Sequence, residues 1–444
     1  MKRKGMQILL LVAYFLFPIL IGFISLQERS IQRAIPAFLG IVAYTWLLAS
    51  IIFSARPKFI EKYYSLDKLN RFHAIQSVVA LIIAMSHGLW EQITWGTLFY
   101  SSTVFGQLAI VTFLSIAIMS ILIMTNWFGR NKLVRSLKTR LKGHRISHYG
   151  TMKKIHNLNI VGILFVSVHV LTMTFRIQGD ILTGSIMLIY LIIVLGFYLD
   201  HKLLRPNRLR KQLYTVTDVQ QQPGRTVMVT LKPRNGRIFT YKPGQFVFVR
   251  IQDEGYPFEE HPYSLITSPN NPTEIKVAIK DLGDYTHRMQ DLPIGINATV
   301  EGPYGGVWHV EEKLSDPKEN LVLLAGGVGI TPMLGILEEL SLKKLPNKVL
   351  LVWALNEPSE LGFAEEFEKF KREIPDFTLI PFYANEKGFL DTEKVQTLFQ
   401  ENELLFDESQ CVLCGPKPFM NAVEKALNDS LVQKDNIHYE AFAL

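Results

Sequence analysis

From Phe72 to Trp90 the chain carries no Asp, Glu, Lys or Arg, and five further stretches share that property, at about residues 7–26, 36–53, 103–126, 155–175 and 181–199. Each is close to the ~20 residues a helix needs to cross a hydrocarbon layer. There every backbone N–H and C=O must be satisfied within the segment, so runs of this kind fold as helices. All six end before residue 200. The remainder of the 444 residues alternates short apolar runs with Gly and Pro turns, as soluble domains do. The expected architecture is therefore a membrane bundle of six transmembrane helices over 1–205, an antiparallel β-barrel over 206–315 and an α/β doubly wound nucleotide-binding domain over 316–444. The first run follows MKRKG, but its apolar core is long and no small-residue cleavage site follows, so an uncleaved anchor is expected.

The basic residues set the orientation. Residues 54–71 carry Arg56, Lys58, Lys62, Lys68 and Arg71, and residues 127–154 carry nine Lys and Arg, whereas 91–102 carry none. Both termini are thus expected inside. The net charge of +7 does not indicate nucleic acid, because the basic residues collect beside the membrane segments. Cys411 and Cys414 both lie in the soluble half, which excludes a disulfide framework or a four-cysteine metal site.

Two of the apolar runs hold histidine pairs: His73 with His87, fourteen apart, and His156 with His169, thirteen apart. At about 1.5 Å per residue each pair spans roughly 20 Å, so one member sits near each face of the bilayer. With spans three and five both running outward, His73 and His156 lie near the cytoplasmic face and His87 and His169 near the outer face. Ionisable groups in lipid are costly and usually functional, and imidazole is an axial ligand for haem iron. The alternatives are polar residues hydrogen-bonded between helices, or a proton relay, for which the spans lack Asp and Glu. Fourteen steps of about 100° nearly return to one face, but thirteen leave about 140°. Span five is therefore expected to be distorted, or its cofactors approached from different azimuths. His144, His148 and His201 lie outside the apolar runs and are expected to be solvated or near headgroups.

In the soluble half, TVMVTLKP and GQFVFVRI read as strands, with turns at Pro223-Gly224, Asn235-Gly236 and Pro243-Gly244. His261-Pro262-Tyr263-Ser264 places an aromatic ring beside a hydroxyl, suited to stacking on a flat heterocycle and bonding its edge. Lys280, the Gly283 turn and Thr286 can meet a pyrophosphate. The apolar strand NLVLLA, then Gly326-Gly327-Val328-Gly329-Ile330-Thr331-Pro332, then a helical pattern from Met333 form a strand, glycine turn and helix start, which suits a phosphate. Strands at 348–355, 377–383 and 410–414 complete a parallel sheet, with Cys414-Gly415-Pro416 at the carboxyl end of one of them, where such sheets bind ligands. Cys414 itself equally suits a buried small residue. After the strand at 348–355, Glu357 and Glu360 would repel a 2′-phosphate that faced them, whereas Ser359 could donate to it, so NADPH and NADH both remain open.

In their order these features resemble the ferric reductase and NADPH oxidase family over nearly the whole chain, with a soluble half like the ferredoxin-NADP reductases. The resemblance implies two haem b groups, one held by His73 and His156, the other by His87 and His169. It implies FAD against His261, Pro262, Tyr263 and Ser264, with its phosphates at Lys280, Gly283, Tyr285 and Thr286. It implies NAD(P)H at Gly326, Gly327, Gly329, Thr331 and Pro332, with Cys414, Gly415 and Pro416 near the nicotinamide and Phe442 covering the flavin. His261 stands where soluble relatives carry Arg.

The expected function is an integral plasma-membrane oxidoreductase, with both soluble domains cytoplasmic. NADPH or NADH gives electrons to FAD, and they pass through the haems to an external acceptor. Membrane lipid is the surroundings, and nothing calls for an obligatory protein partner. The outward loop 91–102 offers no cation for an anionic chelate, which favours dioxygen and superoxide over a ferric chelate; Arg29 and Arg33 could supply one. A membrane-anchored flavin reductase serving a soluble partner, with structural histidines, is the alternative from another class.

Overall fold

A computed structural model describes residues 2–26, 30–95, 101–124, 131–141, 149–270, 273–305, 314 and 316–440. Phe442, Arg29, His144 and His148 lie outside these residues. The chain forms two compact units, Met1–Tyr64 with Lys68–Leu204 and Ser65–Asp67 with Arg205–Leu444.

In the first unit the helices are α1 (Lys2–Leu26), α2 (Ile31–Ser54), α3 (Leu66–Trp95), α4 (Ser101–Met124), α5 (Lys132–Leu141), α6 (Tyr149–Asn157), α7 (Asn159–Leu171) and α8 (Ile181–Leu199). Among the described residues, six stretches are long and apolar enough to cross a membrane: Lys4–Leu26, Ile31–Ser54, Leu66–Thr94, Val104–Ile123, Gly150–Ile177 and Ile181–Arg210. Leu48, Ala80, Ala109, Ile163, Met187 and Val194 are buried in the bundle centre, while Leu9, Phe23, Val111, Ile189 and Ile192 are exposed on its outside. Apolar side chains on both faces suit a hydrocarbon solvent and would be a liability in water.

The fifth span is not one straight helix. Leu158 N–H donates to Ile155 O and Val161 N–H to Leu158 O, each at 2.9 Å. These are i→i−3 bonds where an α-helix makes i→i−4, so the chain is locally overwound between α6 and α7. A π-helical turn, Thr172–Ile177, follows α7. The distortion expected between His156 and His169 is thus present.

The second unit joins two sheets. Strands β1 (Tyr214–Gln222), β2 (Thr226–Pro233), β3 (Phe246–Ile251), β4 (His261–Ser264), β5 (Ile275–Lys280) and β6 (Asn297–Tyr304) pair antiparallel in the order β4-β3-β6-β1-β2-β5. Leu265, just past β4, bridges Val277 of β5, and Ile266 N–H donates to Lys276 O at 2.9 Å, so the first and last strands meet and the sheet closes on itself. Val216, Val229, Val247, Leu265, Val277 and Ala298 fill the interior. Gly224 and Gly244 sit in their turns at φ +72° and +73°, a conformation that costs glycine nothing.

Strands β7 (Asn320–Gly326), β8 (Val349–Leu355), β9 (Phe377–Tyr383), β10 (Ser409–Cys414) and β11 (Ile437–Glu440) form a parallel sheet in the order β11-β10-β7-β8-β9. Helices of this unit include α9 (Asp284–Arg288), α10 (Ile330–Lys343), α11 (Ala364–Glu373), α12 (Thr392–Glu401) and α13 (Lys417–Asp429). Along β7, Leu321, Leu323 and Ala325 pack into one core while Val322 and Leu324 pack into another. Burial on both faces explains the unbroken apolar run of this strand. The strand order reverses between β7 and β10, which puts the ligand crevice at the carboxyl ends of these two strands.

Candidate functional site

In the membrane unit the four histidines form two opposed pairs. The His73 and His156 rings lie 6.0 Å apart between centroids, and His87 and His169 lie 6.5 Å apart. The backing helices hold them from behind. His87 Nδ1–H donates to the carbonyl of Pro36 on α2 at 2.8 Å, which leaves Nε2 as the ring's lone-pair nitrogen. His73 Nδ1 is hydrogen-bonded to Ser50 of α2 at 2.8 Å, and His156 Nδ1 to Ser120 of α4 at 3.0 Å. A metal-bound imidazole characteristically uses its other nitrogen in this way.

Two glycines allow the outer rings their position. A Cβ on Gly40 of α2 would stand 3.2 Å from His87, and one on Gly106 of α4 would stand 3.3 Å from His169. Both histidines of the fifth span therefore back onto α4, although a straight helix would turn them about 140° apart. The overwound stretch at Leu158 takes up part of that difference. Two imidazoles that shared one metal through bonds of about 2 Å would have centroids about 6 to 6.5 Å apart, so each pair would suit an iron held by two histidines. Ser50, Pro36, Ser120, Gly40 and Gly106 were not found from the sequence. The available signal was spacing: Pro36 and Ser50 are fourteen apart, as are Gly106 and Ser120, matching His73 and His87.

In the soluble unit, β4 carries His261, Pro262, Tyr263 and Ser264. The His261 ring stacks on Tyr285 at 3.9 Å, and burial pushes the Tyr285 phenol up to about 12. Among the described residues, Tyr263 Oη and Ser264 Oγ are buried without a hydrogen-bond partner. A buried unpaired hydroxyl costs about 1–3 kcal/mol, and a polar heterocycle edge would remove that cost, so the pair fits a flavin. The Lys280–Thr286 turn is internally bonded: Thr286 Oγ1 accepts from the N–H groups of Leu282 (2.8 Å) and Gly283 (3.0 Å), and Lys280 lies 3.7 Å from Glu360. Beside it Asp281 accepts from Arg225 and pairs with His287 at 3.0 Å, and these bonds hold its carboxyl below the usual range. A carboxyl lowered on folding adds stability above its unfolded pKa of about 3.9 and loses it as pH falls through the lowered value. Asp281→Asn should therefore lower the thermal midpoint near neutral pH, with the difference from the parent chain shrinking as the pH falls below about 4.

At the crevice, Gly327 turns the chain at φ +54° and Trp353 Nε1–H donates to its carbonyl at 2.9 Å. Gly329 lies against the end of β10: a Cβ there would stand 2.1 Å from Cys414 O. One on Gly415 would stand 3.1 Å from the backbone of Gly326, and Phe419 covers both glycines. Thr331 Oγ1–H donates to Val328 O at 3.1 Å, and Pro332 is buried in the first turn of α10. Cys414 is fully buried, followed by Gly415 and Pro416, and burial pushes the neighbouring thiol of Cys411 up to about 12, so it stays protonated. The barrel and the parallel sheet meet along α10. A Cβ on Gly335 would stand 2.3 Å from Leu265 O. One turn on, the buried carboxylate of Glu339 accepts from Ser268 Oγ–H at 2.6 Å and from Asn270 Nδ2 at 2.8 Å. Nothing in the sequence marks Glu339, which reads there as any helix-surface glutamate.

Residues 212–307 match the family described as FAD-binding domain, and residues 323–425 the family described as oxidoreductase NAD-binding domain. The chain is 28% identical over 233 residues to a flavohemoprotein of Rhizobium meliloti (strain 1021), covering 48% of this chain and 55% of the relative. It is 29% identical over 328 residues to ferric reduction oxidase 7, chloroplastic, of Arabidopsis thaliana, covering 67% of this chain and 39% of that one. The matches thus span about half the length of these relatives. The crystal structure of a flavohemoglobin from Malassezia yamatoensis is similar in fold, with TM-score 0.50 and 17% identity over 93% of this chain and 98% of that one. Six apolar helices among the described residues, followed by matches to an FAD-binding domain and to an oxidoreductase NAD-binding domain, make the chain similar to flavin- and nucleotide-dependent oxidoreductases, a ferric reduction oxidase among them.

Proposed function

We propose that the chain carries electrons from NADH or NADPH through FAD and two b-type haems across the plasma membrane to an external acceptor, which is dioxygen reduced to superoxide. The proposed division is a di-haem membrane domain over 1–205, an FAD domain over 206–315 and an NAD(P) domain over 316–444. The observation that carries it is the opposed histidine pairs, each ring backed by the next helix, at separations that suit one iron per pair. When bound, the flavin takes hydride from the nucleotide and releases electrons singly, and the haems carry them on.

The protein's part is position. His73 with His156 and His87 with His169 would hold the irons, and Ser50, Ser120 and the Pro36 carbonyl orient three of those four rings. Tyr263 and Ser264 would meet the flavin, and Lys280 to Thr286 its phosphates. The glycine turn at Gly326 to Gly329 would receive the nucleotide with Thr331 and Pro332 at the helix start, and Cys414 to Pro416 would close the far side of the crevice. Phe442 would cover the flavin. The Lys and Arg distribution supports cytoplasmic termini and soluble domains.

A second reading, a ferric chelate as acceptor, is favoured by the relative named a ferric reduction oxidase and by Arg176, exposed on the π-helical turn beyond His169. The test is reduction of an external dye by the purified chain in vesicles. Superoxide dismutase should abolish it under air. Dismutase-insensitive reduction of a ferric chelate that persists without oxygen would establish the second reading instead. A spectrum without low-spin haem b would overturn both and leave a flavin reductase serving a soluble partner.

A further inference from the structure

We infer that the nucleotide crevice selects NADH, and that Glu357, just past β8, is the residue that discriminates against the 2′-phosphate of NADPH. The inference rests on the donor reading above. Where the first strand of a parallel sheet carries the glycine turn, the adenosine ribose reaches toward the end of the second strand. A carboxylate there accepts from the 2′-hydroxyl, whereas an arginine accommodates a 2′-phosphate. The second strand is β8, paired with β7 from Val349 to Ala354.

From Asn356 to Glu366 the chain has no Lys, Arg or His, and it has four carboxylates. Folding commits the groups that could have served a phosphate. Ser359, the hydroxyl of this loop, donates to the Glu357 carboxylate. Lys280, which lines the groove beside Gly327 and Thr331, lies 3.7 Å from Glu360. Glu360 also accepts from the Asn356 N–H and from Asn356 Nδ2, each at 3.1 Å. Burial pulls the Glu360 pKa up, but the Asn356 hydrogen bonds and Lys280 outweigh it and keep the group ionised at neutral pH. A 2′-phosphate, with about −1.5 to −2 charges, would meet these carboxylates beside a lysine already paired, while a ribose diol would meet acceptors. Glu357 is exposed at the strand end, so it can change without disturbing a core.

The experiment uses the full chain loaded with FAD. It measures kcat and KM for NADH and NADPH together with calorimetric binding of NAD⁺ and NADP⁺. The parent chain should favour NADH in kcat/KM, and bind NAD⁺ more tightly, by about tenfold or more, as juxtaposed like charges require. Glu357→Arg should remove most of that difference, tightening NADP⁺ binding and lowering the KM for NADPH while weakening NAD⁺ binding and raising the KM for NADH. Glu357→Gln should fall between the two. Equal or tighter binding of NADP⁺ by the parent chain, or an unchanged ratio in Glu357→Arg, would overturn the inference and leave the donor reading standing. Oxidation of neither nucleotide would overturn the donor reading and the inference with it.

Discussion

Replacing His87 with Leu should abolish reduction of an external acceptor while leaving reduction of the flavin by the nucleotide intact. His87 stands 6.5 Å from His169 between ring centroids, and its Nδ1 is held by the Pro36 carbonyl. Leucine keeps the apolar volume beside Gly40 and removes both imidazole nitrogens from that side of the pair, so the bundle should stay folded. Removing a partner that merely orients a ligand costs about 10–100-fold in metal affinity or activity, so loss of the ligand should cost more than about a hundredfold. The optical spectrum should lose about half of its bis-histidine signal, since the His73 and His156 pair is untouched. External reduction at the parent rate in this variant would contradict the proposed route.

The second large effect is expected at Gly329. An alanine Cβ there would stand 2.1 Å from Cys414 O and 2.5 Å from Cys414 C, both backbone atoms at the carboxyl end of β10. No rotamer relieves such an overlap, so β7 and β10 must move apart. Gly329→Ala is therefore expected to destabilise the soluble unit by about 3 kcal/mol or more, at the upper end of single substitutions, and to abolish NADH oxidation. Gly327→Ala provides the contrast. Its Cβ would meet nothing within 4 Å, so only the φ of +54° opposes the substitution. That strain is worth about 1 kcal/mol. Thermal unfolding with parallel assays of NADH oxidation separates the two. Equal behaviour of both variants would show that the backbone contact between the crevice walls is not what requires Gly329.

Much of this arrangement was legible before folding because its physical causes are local. A run without charges long enough to cross a bilayer has one stable backbone solution. Alternating strands and positive-φ glycines such as Gly224 and Gly244 mark a small antiparallel sheet, and an apolar strand running into Gly326-Gly327 marks a parallel one. The histidine spacing and the basic loops together gave His73 and His156 a shared side, and the structure brings these rings together. The means of support were not legible. Ser50, Ser120 and Pro36 resemble many polar or helix-bending residues in apolar runs, and their role depends on which helix lies behind them. Ser359 read as a possible phosphate donor until folding gave its proton to Glu357.

The sequence by itself determined that this chain builds six apolar helices ahead of two soluble sheets, and that its four membrane histidines fall into two levels along those helices. Hydrophobicity, charge placement and helix rise act along the chain and need no partner. Tertiary structure alone decided that His156 and His169 both back onto one helix. It also decided that Gly329 seals against Cys414 and that Lys280 faces Glu360. These depend on packing between segments distant in sequence, where one missing Cβ or one borrowed carbonyl sets the geometry, and no local pattern encodes such a meeting.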